Sequence, residues 1–207
     1  FCAIGDVTNY EQPGKYIVKS TDYNDSYATP VLTAGQTFIL GKTNETSGIY
    51  EASENSPVII FDDFTGAFKW VDFHFKVKSS AMKILTANEE RLSLRYLYHV
   101  MGNIGFTSDE HKRLWIATYS LFRIPLPPLA VQQEIVHILD SFTELTAELT
   151  AELTARWKQY EHYRDELLTF GDDVPFVKLG DSCHVITKGT TPKAYTQSGV
   201  TFIKTEA

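Results

Sequence analysis

LAVQQEIVHILDSFTELTAELTAELTARWKQYEHYRDELLTF, residues 129–170, runs for 42 residues without a glycine or a proline. At 1.5 Å per residue it predicts one helix roughly 60 Å long. A stripe follows it in steps of four and three: Ile135, Leu139, Phe142, Thr146, Leu149, Leu153, Arg156, Tyr160, Tyr163, Leu167 and Phe170. Only Thr146 and Arg156 interrupt its apolar character. That alternation is a coiled-coil seam. A lone helix with such a seam needs a partner, because helical stability in water comes mainly from packing. Ile135, Leu139, Phe142, Leu149, Leu153, Tyr160, Tyr163 and Leu167 are the expected interface. Gly171 follows as a helix stop.

Inside this helix Glu-Leu-Thr-Ala occurs three times in succession, at 144–147, 148–151 and 152–155. A packed core gains nothing from a duplicated step, whereas a spacer does. Leucines four apart drift around the helix, and Leu145 falls just off the seam, so an added repeat is a stutter in the heptad. A slipped duplication in a solvated helix explains the repeat without function, since alanine and glutamate are good helix formers. As a ruler, each repeat adds about 6 Å and about 40° of rotation. One DNA base pair adds about 3.4 Å and roughly 35°. The rotations nearly match, so one repeat would move two attached reading domains by a step of about one base pair.

The segments on either side differ. Residues 1–128 read as a mixed α/β domain with a mainly β sheet. Short apolar runs lie between turn residues at 16–19, 30–33, 37–40, 58–61, 69–77 and 82–85. Residues 69–78 alternate: Val71, Phe73, Phe75 and Val77 point one way, while Trp70, Asp72, His74, Lys76 and Lys78 point the other. Residues 89–101 are the helix candidate within this domain, and RIPLPP at 123–128 is expected to stop regular structure. The fold class expected is α+β: this domain, then the single long coiled-coil helix. Beyond the helix, FVKLGD at 176–181 repeats the pattern of FCAIGD at 1–6, at an offset of 175. The expected organisation is a recognition domain (1–128), a helical spacer (129–170) and the start of a second, truncated domain (171–207).

Composition narrows the function. Hydrophobic residues make up 43%, which suits a folded chain, and no apolar run approaches a membrane span. No basic-then-apolar leader is recognised, so a cytoplasmic location is expected. Cys2 and Cys183 are far apart and lack ligand spacing, so neither a disulfide framework nor a metal site is expected. The net charge of −7 opposes strong DNA affinity by the whole chain, but its distribution is uneven. Residues 1–128 carry 12 basic and 14 acidic groups, 129–170 carry 3 and 8, and 171–207 carry 4 and 4. The acidity sits on the helix and leaves the first domain free to present a basic face.

Catalytic motifs do not hold up. GQTFILGKT at 35–43 approaches a phosphate-binding loop, with VIIFDD at 58–63 as an acidic strand beside it. Five residues separate Gly35 from Gly41 where that loop needs four, and Phe38, Ile39 and Leu40 would put bulk where backbone amides must cradle phosphate. Asp62 and Asp63, being adjacent on a strand, face opposite ways and have no Glu-x-Lys partner for nuclease chemistry. Neither a Gly-rich cofactor loop nor an Asn-Pro-Pro-Tyr-type motif for methyl transfer occurs. No catalytic residue is assigned. A binding surface is left. Lys69, Trp70, His74, Lys76 and Lys78 combine cations with an aromatic ring, Thr65 precedes them, and Ser79 and Ser80 follow as donors to phosphate or base edges. Lys112 and Arg113 make a second basic spot. A solvated strand face is the plain alternative for any one of these residues.

The order of parts resembles the specificity subunit of type I restriction–modification systems. IPLPPLAVQQEIVHILD (124–140), the Thr-Ala-Glu-Leu repeats, YRDELLTF (163–170) and VKLGD…KGTTPK…GVTFIKT (177–205) carry the likeness. VLTAGQTFILGKTNET (31–46) and VIIFDDFTGAFKWVDFHFKVKSSAMKIL (58–85) look like one class of its target recognition domain. The resemblance implies a non-catalytic subunit whose two recognition domains each read half of a split double-stranded DNA site. Two helices packed as an antiparallel coiled coil set the gap. It implies docking of two modification (methyltransferase) subunits, which hold S-adenosylmethionine and flip and methylate adenine, and recruitment of a restriction subunit. No cofactor is expected on this chain itself. With one complete recognition domain and one helix in this sequence, a homodimer through the long helix, reading a palindromic site, is expected unless the sequence is a fragment of a full subunit. Two other classes compete: a nucleotide hydrolase using Gly35–Thr43 and Asp62/Asp63, and a coiled-coil scaffold that binds protein.

Overall fold

A computed structural model describes residues 1–33, 37–106, 112–185 and 189. The chain forms two compact units, Phe1–Thr150 and Ala151–Ala207. Among the described residues, the first contains nine short strands, one complete α-helix, the beginning of another and three short 3-10 turns: β1 (Cys2–Ala3), β2 (Thr8–Glu11), β3 (Thr29–Leu32), β4 (Ile39–Thr43), β5 (Val58–Asp62), β6 (Phe68–Val71), β7 (Lys76–Val77), β8 (Met82–Ala87), α1 (Leu94–Asn103), β9 (Arg123–Ile124), and the beginning of α2 (Leu129–Leu168). A last short turn, α3 (Leu179–Ser182), lies in the second unit. The α+β class stands.

The central sheet has strand order β2-β8-β5-β6, all antiparallel. A second sheet has order β4-β3-β7, with β3 and β7 parallel. The unbroken apolar run of β5 needs both of its faces covered, and they are. Ile59 and Phe61 enter one core with Leu92, Leu97, Met101 and Trp115. Val58 and Ile60 enter another with Leu32, Phe75, Val77 and Ile84. The period of two along a strand therefore feeds two separate cores from one sheet. Each such side chain, fully buried, stabilises the fold by about 1.5–3 kcal/mol.

The alternating run 69–78 is not one strand. It divides into β6 in the central sheet and β7 in the second. The two-fold pattern is real on each part, but the chain crosses between layers at 72–75, so the polar residues do not form a single face. Other boundaries shift less. Ile17 makes only an isolated bridge to Val77, with a short helical turn before it at Pro13–Tyr16. α1 starts at 94 and not 89, because Asn88 takes the N–H of Glu90 on its side chain and those of Arg91 and Leu92 on its carbonyl, making a turn instead. Ser93 then caps the helix, accepting from Tyr96 N. In RIPLPP, Arg123 and Ile124 pair with Ala3 and Cys2, and the irregular stretch begins only at Pro125.

Helix α2 spans 40 residues, Leu129 to Leu168. Thr143, Thr146 and Thr150 each donate their hydroxyl to the carbonyl four residues earlier. The seam threonine, Thr146, is thus satisfied within its own helix. The two Phe-x-x-(Ile/Leu)-Gly-Asp stretches both contain a short helical turn, at Ile4–Asp6 and Leu179–Ser182. Ile4 is buried in the first, whereas Leu179 is exposed in the second.

Candidate nucleic-acid interface

Three loops of the first unit converge on one buried carboxylate, Asp63. Its backbone N–H donates to Ala81 O at 2.9 Å, tying in the turn after β7. Its carbonyl accepts from Leu114 N at 2.7 Å, and its Oδ1 accepts from Trp115 N at 2.9 Å. Its Oδ2 faces Lys83 Nζ at 2.9 Å and Arg113 Nη1 at 3.2 Å. Asp63 and Lys83 are each 1% exposed, while Arg113 is 53% exposed. A buried carboxylate is stable only with such complete pairing, and removal of its buried partner Lys83 costs roughly 3–5 kcal/mol.

Next to Asp63 lies the β5–β6 turn. Asp62 accepts from Phe64 N and Thr65 N on its side chain and from Gly66 N on its carbonyl. Gly66 has φ +74°, a conformation that favours glycine, and sits against Leu114, Phe106 and Tyr119. The consequence is an exposed ridge carrying Thr65 on one loop, Lys78, Ser79 and Ser80 on the second, and Lys112 and Arg113 on the third. Lys78 Nζ is 3.3 Å from Tyr23 Oη and lies over the Tyr23 ring. Ser79 Oγ accepts from Ala81 N, and Thr65 Oγ1 from Ala67 N, so both hydroxyls are held by their own turns.

The remaining candidates are placed elsewhere. Lys76 is buried, not on an outer strand face. Its ammonium pairs with Glu45 at 3.1 Å and donates to Ser47 O and Gly48 O. The backbone N–H of Ser20 pulls the Glu45 carboxyl below the ordinary range; burial opposes this, while the Lys19 N–H and Lys76 reinforce it. Lys76 is a structural cation. Trp70 is half-buried, with Nε1 donating to Asp72 and its ring 4.9 Å from the Arg95 guanidinium. Its partner is thus within the fold. Lys69 and His74 are exposed, on β6 and on the crossing between sheets.

The same two carboxylates are those of the hydrolase reading. Both Asp63 oxygens and Asp62 Oδ1 are committed to the structural bonds above, and no group of three or more metal-ligating side chains occurs among the described residues. Residues 39–43 of the glycine stretch form strand β4, paired to β3, with no helix after it. Gly35 lies outside the described residues.

Where α2 leaves the domain, a second constellation holds it. Gln132 is fully buried: Oε1 accepts from Ser93 N at 2.9 Å, and Nε2 donates to Arg91 O at 2.9 Å and Pro127 O at 2.8 Å. Two turns later, Asp140 accepts from Arg95 Nε at 3.0 Å and contacts His99 Nε2 at 2.8 Å. Burial pushes the Asp140 carboxyl up, but the hydrogen bonds from Arg95 and His99 outweigh it and hold it below the usual carboxylate value. Between them Ile135 and Val136 pack on the first core. Ile135 therefore faces its own domain, not a partner helix. Leu139 joins it along a groove lined also by Tyr96, His99, Val100 and Asn103. The signal was present in the spacing: Gln132, Ile135, Val136, Leu139 and Asp140 fall at i, i+3, i+4, i+7 and i+8. Beyond this joint the seam is uncovered. Phe142, Leu149, Leu153, Tyr160, Tyr163 and Leu167 are each at least half exposed.

Residues 1–158 match the family described as the type I restriction modification DNA specificity domain. The chain belongs to that family. It is 56% identical over 189 residues to the type I restriction enzyme EcoR124I/EcoR124II specificity subunit of Escherichia coli, a match covering 86% of this chain and 46% of that protein. The fold is shared with the type I restriction-modification S subunit from M. genitalium, at TM-score 0.56, 13% identity, and coverage of 83% of this chain and 46% of that one. A chain from a structure concerned with assembly and conformational transition of the type I R-M system matches at TM-score 0.52 and 16% identity, covering 77% of this chain and 42% of that chain. The chain thus spans about half the length of the relatives it matches. No described helix is long and apolar enough to cross a membrane.

Proposed function

We propose that this chain is the DNA-reading part of a specificity subunit, itself non-catalytic, in a cytoplasmic type I restriction–modification complex. In this reading the domain at 1–128 contacts one half of a split duplex site, 129–170 is the spacer, and 171–207 begins a second domain. The observation that carries it is the ridge built on Asp63. Three loops are tied to Asp63, by backbone hydrogen bonds to Ala81 and Leu114 and by the ion pairs with Lys83 and Arg113, and they hold Thr65, Lys78, Ser79, Ser80, Lys112 and Arg113 toward solvent. A rigid base with exposed cations and hydroxyls suits phosphate positioning and base-edge contact.

The uncovered seam of α2 supports the rest. A second helix must cover it, either from a second copy, giving a homodimer and a palindromic site, or from a longer chain. Modification subunits, which hold S-adenosylmethionine, and a restriction subunit complete the assembly. At a net charge of −7 the chain alone binds DNA weakly, and its partners supply much of the affinity.

Selection of bound sequences from random duplexes, with the modification subunits present, tests the reading. A gapped, two-part sequence is the expected product. Enrichment of nothing would leave a protein-binding scaffold, and saturable nucleotide binding by the purified chain would restore the hydrolase.

A further inference from the structure

We propose that Gln132 and Asp140 are positioning residues that set the angle of α2 against the recognition domain, and thereby sharpen the gap between half-sites. The proposal rests on the spacer reading given above.

Their geometry is that of a two-point clamp. They lie eight residues apart on one helix face, about 12 Å along the axis, so together they fix both tilt and rotation. Gln132 is held by backbone groups from three segments: Arg91 O in the turn before α1, Ser93 N at the α1 cap, and Pro127 O in the junction. Backbone partners of this kind do not shift unless the fold does. Asp140 is held by Arg95 and His99 on α1, and the Arg95 guanidinium itself lies over the rings of Trp70 on β6 and Tyr98 on α1. β6 leads back into the turn that carries Thr65. The clamp therefore references the helix to the same hairpin that contributes to the reading ridge.

Apolar contact alone would not do this. Ile135, Val136 and Leu139 give adhesion, but hydrophobic burial is non-directional and tolerates neighbouring registers. Hydrogen bonds to a buried amide and a bidentate guanidinium–carboxylate pair accept one geometry. The tolerance needed is small. A rotation of about 5° at the joint moves a point about 40 Å away by about 3.5 Å, one base-pair rise.

The test uses the full chain assembled with its modification subunits, selecting from random duplexes and reading half-site bases and gap length separately. For the parent, one gap should dominate. With Gln132→Ala or Asp140→Ala the same half-site bases should be enriched, with the gap spread to neighbours about one base pair either side. Asp140→Glu, which keeps the carboxylate, should narrow it again. A gap as sharp in both alanine variants as in the parent overturns the proposal. So does loss of base preference together with the gap, which would make the clamp merely structural. A parent that enriches half-sites without a fixed gap, or nothing, defeats the spacer reading itself, and is distinguished because it precedes any substitution.

Discussion

The two stretches of α2 carry one sequence pattern and meet two different fates. From Gln132 to Asp140, the stripe lies on the recognition domain, its polar ends saturated by hydrogen bonds. From Phe142 to Leu167, the stripe continues in steps of three and four and meets solvent. Apolar periodicity says that a face will be covered. It does not say by what. The polar residues mark the difference, since Gln132 and Asp140 have specific donors and acceptors waiting, while in the second stretch Arg156 pairs with Glu152 on the same helix.

The largest expected effect breaks the second stretch and spares the first. If the covering helix comes from a second copy, Leu149→Asp with Leu153→Asp should abolish the pairing, read as halved mass in sedimentation, while unfolding of the first domain stays within about 0.5 kcal/mol of the parent. Next, Gln132→Ala attacks the first stretch. It leaves a buried N–H and two carbonyls unpaired, and should lower domain stability in urea by roughly 1–3 kcal/mol with the assembly mass unchanged. Deleting one Glu-Leu-Thr-Ala repeat, 148–151, removes one seam leucine, Leu149, and turns the rest of the seam by about 40°, but leaves the first stretch intact, and should shift the selected gap by about one base pair.

A smaller effect separates surface from structural cations. Lys78→Ala should reduce the slope of log affinity against log salt by about one, whereas Lys76→Ala should leave that slope unchanged and weaken the fold. The smallest is the pH dependence of the clamp. The Asp140 carboxyl is depressed in the folded state, so its contribution is complete above the unfolded value of about 3.9 and is lost as pH falls through the lower folded value. The stability difference between the parent and Asp140→Asn should therefore close in that acid window, in denaturant titrations at stepped pH.

The candidate ridge was partly legible. Thr65, Lys78, Ser79, Ser80, Lys112 and Arg113 follow turn signals and cluster by composition, and the fold brings their loops together. Asp63 read as an unused acid because its partners Lys83 and Arg113 lie twenty and fifty residues away. Lys76 and Trp70 read as surface groups because alternation along 69–78 hides the crossing between two sheets. A period of two looks the same whether its other face meets water or a second layer.

By itself the sequence determined that one long helix begins at Leu129 (its end falls at Leu168, two residues short of the expected 170), that its stripe must be covered, and that a strand-rich domain precedes it, because helix and strand periods are local properties of neighbouring side chains. Only the tertiary structure decided which cations are exposed and which are buried, which carboxylate organises the loops, and where along α2 the stripe passes from its own domain to solvent. Those are facts of long-range pairing, and no local pattern encodes the partner of a buried charge.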